Sequence, residues 1–490
     1  MANGSQAPLK VLFLASEAEP FYKVGGLGDY AGSLPAALRA VAEKEGRPLD
    51  MRVALPFHQS IAVDPSGFKK AAHLTVPKRR GTAKGIAFQT TFNNIPFYFI
   101  RRSGKAGGFE RIYSPDPLQD ARKYIFYSLA SLRLAEALDW QPDILHANDW
   151  HAAVAVHQLK RLAPVHPFFR DTRSLLVVHN LPYMGGGTED VLNEFGLPPV
   201  DAEGLPAWGR HFPLTMGLVA ADHIAAVSPS YAQELLSDEF GSGLVKFFES
   251  RRERLSGILN GIDTHLWDPR TDSHIPENYS ADSLERKPLN KASLLQTLGL
   301  PPDTERPLLV AITRLDVQKG VDLILSAMPA LKDLPWNLAV LGSGSPGYER
   351  DFSDLQAAFP GRVRVSLEFN SHLAHQLYAA GDIFLMPSRY EPCGLSQMIA
   401  MRYGCLPVAR AVGGLRDTIQ DAPADARTGY LFADADEASF SRALRSALAD
   451  FGNRKAWQAA QVRTMRQDFS WEQSARRYLD LYRELRTEGK

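Results

Sequence analysis

The stretch Leu308-Leu-Val-Ala-Ile-Thr-Arg-Leu-Asp-Val-Gln-Lys-Gly320 decides the fold class of this chain. It opens with an apolar run, Leu308–Ile312, which has the usual length of a buried strand. A polar loop with two cations, Arg314 and Lys319, follows directly, and a helix-length segment comes next. A buried strand, a polar loop and a helix form the repeating unit of a parallel α/β sheet.

The same unit recurs along the whole chain. Strand-length apolar runs alternate with helix-length amphipathic segments, which predicts parallel α/β sheets. The runs form two sets of about six or seven, more than one compact sheet usually holds, so we predict two doubly wound domains. The runs are Lys10–Ala15, Met51–Leu55, Phe97–Ile100, Ile144–Ala147, Leu175–Val178, His223–Val227 and Gly257–Leu259, then Leu308–Ile312, Asn337–Leu341, Val363–Val365, Ile383–Met386, Leu406–Ala409 and Tyr430–Phe432.

The composition is that of an ordinary globular protein, with 490 residues, 45% of them hydrophobic and 22% charged. Lys and Arg number 55, and Asp and Glu number 55. This balance gives no global attraction to nucleic acid or to anionic membranes, so we expect neither as a partner.

Two features predict a cytoplasmic location. The cysteines Cys393 and Cys405 are too few for a disulfide framework or a multi-cysteine metal site. The first apolar run is too short for the core of a signal peptide, and the best candidate for a membrane span, Met216–Val227, is broken by Asp222 and His223.

A proline-rich, polar stretch, His265–Pro307, marks the predicted domain boundary. We therefore predict an N-terminal domain over residues 1–264 and a C-terminal domain, with its linker, over residues 265–469. Residues 470–490 hold a predicted tail helix over Ser470–Leu485, with Trp471, Ala475, Tyr478 and Tyr482 on one face.

Polar loops follow nearly every predicted strand in both halves. Open α/β sheets bind their ligands just outside the carboxyl ends of the strands, so we expect the two domains to face each other across a cleft. These loops are Ser16–Glu19, His146–His151, His179-Asn180, Ser228–Ser230, Asn260–Asp263, Thr313-Arg314, Gly342–Gly344, Ser388–Glu391 and Arg410.

A short internal repeat lies in two of these regions. Val24-Gly-Gly-Leu-Gly-Asp29 matches Val412-Gly-Gly-Leu-Arg-Asp417 at all but one position. A Gly-Gly pair before a helix exposes backbone N–H groups that suit a phosphate, which favours an anion site at equivalent places in the two halves. The alternative is a pair of tight turns that only start helices.

Two segments resemble dinucleotide-binding loops. Gly342-Ser-Gly-Ser-Pro-Gly347 follows a strand, but Pro346 lies where the helix should continue and no acidic residue follows at the usual spacing. Gly26-Leu-Gly-Asp-Tyr-Ala31 begins too far beyond the first strand. We therefore favour a sugar or nucleotide loop over a nicotinamide or flavin site.

Three cations are candidate anion ligands. Lys23 stands beside a glycine turn at a strand's carboxyl end. Arg314 and Lys319 share one loop and could hold a departing diphosphate without metal. The structural alternative pairs Arg314 with nearby Asp316.

The densest group of polar residues is Pro387-Ser-Arg-Tyr-Glu-Pro-Cys-Gly-Leu-Ser-Gln397. Glu391 lies at a predicted helix start, where it could accept hydroxyl groups of a sugar, although a glutamate there is often only a partner of the helix dipole. Asp149 and His179 are further candidates for sugar hydrogen bonds.

Other chemistries are disfavoured. His146, His151 and Asp149 lack the spacing of a metal site, and we interpret Asp434-Ala-Asp436 as a solvated helix start. The chain lacks the nucleophile elbow of hydrolases, the phosphate-binding loop of ATPases and the HExxH zinc motif.

With these motifs the sequence resembles the bacterial glycogen synthase and plant starch synthase family of retaining glucosyltransferases. The resemblance covers nearly the whole chain and implies two Rossmann-like domains facing across a cleft (the GT-B architecture), with the acceptor side in the first and the nucleotide sugar in the second. The motifs are Lys23–Asp29, His146–Trp150, His179-Asn180, Val227–Tyr231, Leu259–Asp263, Thr313–Leu315 with Gln318–Gly320, Ser388–Leu395 and Gly413–Leu415.

The resemblance implies transfer of glucose from ADP-glucose to the non-reducing end of an α-1,4-glucan, without a metal or another cofactor. By the same resemblance, Lys23 contacts the sugar nucleotide, Arg314 and Lys319 bind its phosphates, Glu391 holds the donor sugar, and His179 and Asp149 lie near the reacting carbon. The remaining predicted substrate-binding residues are Gly25, Gly26, Asp29, Asn260, Cys393, Gly394, Leu395, Gly413 and Gly414.

Some positions depart from the family pattern, and two other functions stay open. Tyr30 stands where the family often has Val, and Asn370-Ser371 stands where an acidic pair is common. One alternative is a related transferase that uses UDP-glucose or another acceptor. The other is a glucan-binding scaffold without activity, which the retained cations and Glu391 disfavour.

Overall fold

The computed structural model describes residues 7–104, 110–423 and 425–487. The chain divides into two compact units. Unit 1 comprises residues up to Gly261 together with those from Trp471 onward, and unit 2 spans Ile262–Ser470.

Strands and helices alternate through most of both units. In chain order the strands are β1 (Leu9–Leu14), β2 (Leu49–Pro56), β3 (Lys69–Pro77), β4 (Thr82–Phe92), β5 (Ile95–Arg102), β6 (Ile144–Asn148), β7 (Arg173–Val178), β8 (His223–Ala226), β9 (Leu255–Gly257), β10 (Leu308–Ile312), β11 (Asn337–Leu341), β12 (Val363–Ser366), β13 (Ile383–Met386), β14 (Leu406–Arg410) and β15 (Tyr430–Phe432). The helices are α1 (Gly26–Lys44), α2 (Pro117–Ala137), α3 (Asp149–Leu162), α4 (Glu189–Glu194), α5 (Pro213–Ala220), α6 (Pro229–Glu234), α7 (Val245–Ser250), α8 (Lys287–Thr297), α9 (Val321–Ala330), α10 (Pro346–Ala358), α11 (Ser371–Ala380), α12 (Ser396–Arg402), α13 (Gly413–Thr418), α14 (Glu437–Phe451), α15 (Arg454–Met465) and α16 (Trp471–Thr487).

The sheet of unit 1 has the strand order β3–β4–β5–β2–β1–β6–β7–β8–β9. From β5 to β9 neighbouring strands are parallel, whereas β3, β4 and β5 are joined as antiparallel neighbours at one edge. The prediction of a parallel sheet is confirmed for the central strands. It is incomplete at the edge, where β3 and β4 are strands that the pattern of buried runs does not predict.

The order in unit 1 places β1, β6 and β7 side by side. Their carboxyl ends therefore bring three polar loops to one edge of the sheet. Tail helix α16 belongs to the same unit and packs against α1, β6 and β7. Its apolar face includes Tyr478 and Tyr482, both fully buried.

The sheet of unit 2 is parallel throughout, in the order β12–β11–β10–β13–β14–β15. Its core is built on Leu309, Leu338 and Leu385 and on Trp336, which is fully buried and donates its ring N–H to Leu331 O at 2.7 Å. Buried on both faces, such strands are continuous apolar runs, which is why the sequence predicts them well.

The proline-rich stretch that marks the predicted domain boundary, His265–Pro307, contains α8. Its proline, Pro288, lies in the first turn of the helix, where a missing N–H costs nothing. Within the described part of the chain, no helix is both long enough and apolar enough to cross a membrane.

Candidate active site

In unit 1 the neighbouring strands β6 and β7 bring His179, Asn148 and Asp149 together. His179 Nε2 lies 2.8 Å from Asn148 Oδ1, and the backbone N–H of His179 donates to Asp149 Oδ1 at 2.7 Å. The Asn148 amide in turn donates to Leu14 O at 2.8 Å, which ties the pair to β1.

Asp149 positions the loop that carries His179. It begins α3 with a positive φ of 50°, and its carboxylate also accepts a longer bond of 3.4 Å from the N–H of Asn180. Burial raises the pKa of Asp149 to about 7, although the bonds from His179 and Asn180 lower it. The carboxylate of Asp149 therefore holds the backbone of the loop that carries His179.

His179 is neutral at physiological pH. Burial lowers its pKa to about 3. Because the Asn148 oxygen can only accept, His179 Nε2 must carry the proton, which leaves Nδ1 as an acceptor. A hydroxyl group is the kind of ligand that such a nitrogen can bind.

His146 has a structural role. Its two ring nitrogens lie 3.1 Å from Tyr30 Oη and 2.6 Å from Tyr482 Oη of α16. Burial lowers the pKa of His146 to about 3, so the neutral ring donates to one hydroxyl and accepts from the other. Tyr30 also packs edge-on against His179, with ring centroids 4.6 Å apart.

Lys23 lies between two carboxylates. Its Nζ is 2.6 Å from Asp29 Oδ1 and 3.1 Å from Glu19 Oε2, and its side chain is 35% exposed. Burial alone would lower the pKa of Lys23, but Asp29 and Glu19 outweigh it and the pKa is raised. Burial raises the pKa of Asp29 to about 6, with Lys23 opposing the shift.

The glycine pair beside Lys23 is arranged differently from the prediction. Gly25 precedes α1 and Gly26 begins it. The N–H of Gly25, which the sequence predicts to face an anionic ligand, donates to Glu17 Oε2 at 3.2 Å, and the N–H of Val24 donates to the same oxygen. Glu17 is a residue of this site that the motifs do not reveal, although its place directly after β1 is a signal that points to it.

Asn260 lies in the loop after β9. It is 6% exposed, and its Oδ1 is buried with no hydrogen-bond partner among the described residues. A buried acceptor of this kind is usually satisfied by a ligand or by water, which keeps Asn260 a candidate.

In unit 2 the structure brings Lys319 and Glu391 together. Lys319 Nζ lies 2.7 Å from Glu391 Oε2, and Ser388 Oγ donates to the same oxygen at 2.9 Å. The side chains of Lys319 and Glu391 are 17% and 8% exposed. Ser388 is a further residue of the site that is absent from the predicted set.

Arg314 lies on the same loop and reaches solvent. Its guanidinium is 3.3 Å from Asp316 Oδ2 and 3.2 Å from Gln318 Oε1, and its side chain is 57% exposed. The N–H of Lys319 donates to Asp316 Oδ1 at 3.0 Å. Asp316 therefore orders the loop that carries both cations, and the Arg314–Asp316 pair considered as an alternative does form.

The segment Glu391–Leu395 packs against the second glycine pair. Gly413 has a φ of 42° and begins α13, and the N–H of Gly414 donates to Glu391 O at 3.1 Å. A Cβ at Gly413 would meet Glu391 O, and one at Gly414 would meet Cys393 O. The glycines are thus required by this close approach of two backbones, whether or not they also bind a ligand.

The other residues of this segment have defined places. Cys393 is 5% exposed and, like Cys405, forms no disulfide bond. Gly394 has a φ of 70°, and Leu395 directly precedes α12. Gln397 donates to Cys393 O and Gly394 O, both at 3.1 Å, which holds the turn.

The internal repeat does not occupy equivalent places. Its first copy follows β1, the first strand of unit 1, whereas its second copy follows β14, which comes late in unit 2. The helix also begins one residue earlier in the second copy, at Gly413 rather than at the position matching Gly26. The expectation of equivalent positions is therefore wrong, and the two glycine pairs have different neighbours.

The Gly342–Gly347 loop is also explained by local structure. Pro346 begins α10 and does not interrupt it, because Ser345 is the residue before the helix. The N–H of Gly344 donates to Glu349 Oε1 at 2.8 Å. A protein carboxylate thus takes one of the N–H groups that a nucleotide loop would offer.

Among residues 7–104, 110–423 and 425–487, no group of three or more His, Cys, Asp or Glu side chains is placed to hold a metal ion. Asp436 caps α14 by accepting from the N–H of Ser439 at 2.7 Å, so the structural interpretation of the Asp434–Asp436 segment is confirmed. A cavity of about 160 Å³ lies elsewhere in unit 1, beside Leu129, Arg133 and Arg161, and no predicted site residue lines it.

Two family comparisons cover both units. Residues 10–250 match the family described as the starch synthase catalytic domain, and residues 299–462 match glycosyl transferases group 1.

Full-length relatives agree with these matches. A protein named glycogen synthase from Aromatoleum aromaticum is 40% identical over 99% of this chain and 99% of its own length. Another of that name, from Anaeromyxobacter dehalogenans, is 39% identical over 97% of this chain and 100% of its own length.

Solved structures give the same result. The catalytic domain of starch synthase IV from Arabidopsis thaliana, bound to ADP and acarbose, has a TM-score of 0.87 at 31% identity and covers 98% of this chain and 100% of its own. A sucrose-phosphate synthase from Thermosynechococcus elongatus, at 19% identity and a TM-score of 0.62, shares the fold over 98% of this chain and 100% of its own. The chain is therefore a member of the glycogen synthase and starch synthase family of glucosyltransferases.

Proposed function

We propose that this enzyme transfers glucose from ADP-glucose to the non-reducing end of an α-1,4-glucan with retention of configuration. The observation that carries the proposal is the contact between Lys319 and Glu391 at the strand ends of unit 2. The contact places a cation beside a carboxylate that can accept hydrogen bonds from hydroxyl groups. A sugar diphosphate needs both, the cation for its phosphates and the carboxylate for its sugar.

In this proposal the phosphates bind Arg314 and Lys319, and Glu391 holds hydroxyl groups of the donor sugar. Cys393, Gly394, Leu395, Gly413 and Gly414 form the surrounding backbone surface. From unit 1 we assign Lys23, Gly25, Gly26, Asp29 and Asn260 to substrate binding, and His179 to the donor sugar. Asp149 contributes by holding the His179 backbone, since its carboxylate is engaged there.

The proposed reaction forms one bond and breaks one. The acceptor hydroxyl oxygen bonds to the anomeric carbon on the face from which ADP departs, the bond from that carbon to the phosphate oxygen breaks, and the hydroxyl proton passes to the leaving phosphate. The protein supplies orientation and stabilisation of charge, with no protein nucleophile and no metal.

The test is elongation of a glucan primer with ADP-glucose and UDP-glucose side by side, followed by digestion of the product with an α-1,4-specific glucosidase. We expect faster transfer from ADP-glucose and complete digestion. Preference for UDP-glucose would replace the proposed donor, and no transfer from either would favour the scaffold without activity. We also propose that the enzyme acts in the cytoplasm.

A further inference from the structure

The carboxylate of Glu17 lies directly against the loop Lys23–Gly26. Glu17 is 2% exposed. Its Oε2 accepts from the N–H groups of Val24 and Gly25, the latter at 3.2 Å. Its Oε1 accepts from Tyr113 Oη at 3.1 Å, and Ser16 Oγ lies 3.1 Å from the same hydroxyl.

This arrangement puts an anion of the protein where the glycine loop was expected to hold an anion of the ligand. Two adjacent N–H groups that point at one oxygen fix the path of the backbone between Lys23 and α1. A Cβ at Gly28 would lie 3.3 Å from Glu17 Oε2 and 2.8 Å from Lys23 Cγ, so the first turn of α1 packs closely on both side chains. The position of Lys23 therefore depends on the Glu17 carboxylate.

We propose that ionised Glu17 is a positioning residue that holds the Lys23–Gly26 loop in its donor-binding conformation. This inference rests on the proposed function, because it takes Lys23 to be a donor ligand. Glu17 does not touch the substrate in this proposal, and it acts through the backbone of Val24 and Gly25.

The charge on Glu17 is sensitive to pH in the physiological range. Burial raises its pKa to about 7, and the bonds from Val24, Gly25 and Tyr113 oppose that shift. When Glu17 is protonated, its acceptor strength falls and the two N–H groups lose their charge-assisted partner. Donor binding should therefore weaken as the pH falls through about 7.

Other titratable groups lie close to Glu17, among them Tyr124 on α2, whose pKa the charge of Glu17 helps to raise. Asp29 on α1 raises its pKa, Tyr113 donates to it from the segment before α2, and its charge raises the pKa of Asp149 on α3. Lys23 and Glu19 lie on the loop itself. Since Asp29 and Asp149 also titrate near neutral pH, only a difference between variants can assign the effect to Glu17.

The experiment compares the pH profile of kcat/KM for ADP-glucose in the unaltered enzyme, Glu17→Gln and the control Glu43→Gln. Glu43 is a residue of α1 whose side chain is 62% exposed. We expect an acidic limb near pH 7 in the unaltered enzyme and in the control. Glu17→Gln should lose this limb and raise the donor KM about tenfold at high pH, with a smaller change in kcat. An unchanged limb in a folded Glu17→Gln enzyme would overturn the proposal.

Two further measurements test the role of Glu17, and the second, which needs no substrate, separates this inference from the proposed function. Tyr113→Phe removes a bond that lowers the pKa of Glu17, so the acidic limb should move to higher pH. A limb that stays in place would contradict the assignment even if Glu17→Gln does not fold. Amide hydrogen exchange at Val24 and Gly25, corrected for the intrinsic rate, should be slower at pH 8 than at pH 6 with no substrate present. Equal protection would refute the role of Glu17 whatever the enzyme transfers.

Discussion

Lys319 Nζ lies 2.7 Å from Glu391 Oε2, so the two residues that the sequence predicts for different parts of the donor are ion-pair partners. Each is mostly buried, and each places its charge beside one of opposite sign. A donor that brings phosphate to Lys319 and hydroxyl groups to Glu391 would replace this contact with one partner for each residue. In the proposed function, this pair is arranged in advance for a ligand that carries both groups.

Glu391→Ala should lower kcat by about 10²–10³, which corresponds to the loss of one oriented charged contact in the transition state. The free energy of unfolding of Glu391→Ala should change by less than the activation free energy does, because the Lys319 side chain is long enough to reach water once its partner is gone. Primer elongation gives the rate and calorimetry gives the midpoint of unfolding. Ser388→Ala is the matched control, since it removes the other donor to the same oxygen and should cost less activity. Normal elongation by folded Glu391→Ala would contradict this role.

Asp149→Asn should make the folding stability of unit 1 less dependent on pH. Burial raises the pKa of Asp149 from 3.8 to about 7, so between these values the folded state keeps a proton that the unfolded state has released. The stability contributed by this group is present below about pH 4 and is lost as the pH rises through about 7. Asn can still accept from the N–H of His179, and it has no charge to bury.

The measurement for Asp149→Asn is hydrogen exchange in β6 and β7 at pH 5 and pH 8. Protection in the unaltered protein should fall more between these values than protection in the variant, by an amount on the order of a few kcal/mol in opening free energy. Exposed Asp351→Asn in unit 2 is the control and should leave the difference unchanged. An equal loss of protection between pH 5 and pH 8 in the unaltered protein and in the Asp149→Asn variant would show that another group causes the pH dependence.

Buried runs made most of the fold predictable. β10, β11, β13 and β15 have the predicted bounds because both faces of these strands are covered and every residue is apolar or nearly so. β3 and β4 were missed because they lie at the edge of the sheet, where only alternate residues such as Leu74 and Val76 are buried. Alternation among lysines and threonines is a weaker signal than a continuous apolar run.

The sequence predicts which residues form the candidate site better than it predicts which of them contact one another. The sequence places Lys319 and Glu391 in loops after strands, but only the order of strands in the sheet brings them within 2.7 Å. Glu17 and Gly25 are likewise joined by the fold of one loop. The carboxylate of Asp149 was expected near a sugar, yet it accepts from the backbone of His179, a partner that no residue pattern reveals.

Tyr482→Phe should destabilise unit 1. Tyr482 Oη lies 2.6 Å from His146 Nδ1, and both residues are fully buried. Without the hydroxyl this nitrogen has no partner, which costs about 1–3 kcal/mol. Calorimetry should therefore show a lower midpoint, whereas Tyr183→Phe, at a side chain that is 56% exposed, should shift it little. Equal midpoints for the two variants would mean that α16 does not depend on the Tyr482 hydroxyl.

Elongation should need no divalent metal, because Arg314 and Lys319 stand on one loop and can stabilise the departing diphosphate themselves. After exhaustive chelation the enzyme should keep its full rate.

Arg314→Ala and Lys319→Ala should each lower kcat/KM. In the double variant kcat/KM should fall by less than the product of the two effects, because both residues act on one charge. Arg314→Lys should recover little of the activity that Arg314→Ala loses, because a lysine cannot make a bidentate contact with phosphate. The control, Arg350→Ala at an exposed position, should keep normal activity. Activity that is abolished by the chelator and restored by magnesium or manganese would refute the metal-free mechanism, and full activity of both alanine variants would remove these residues from it.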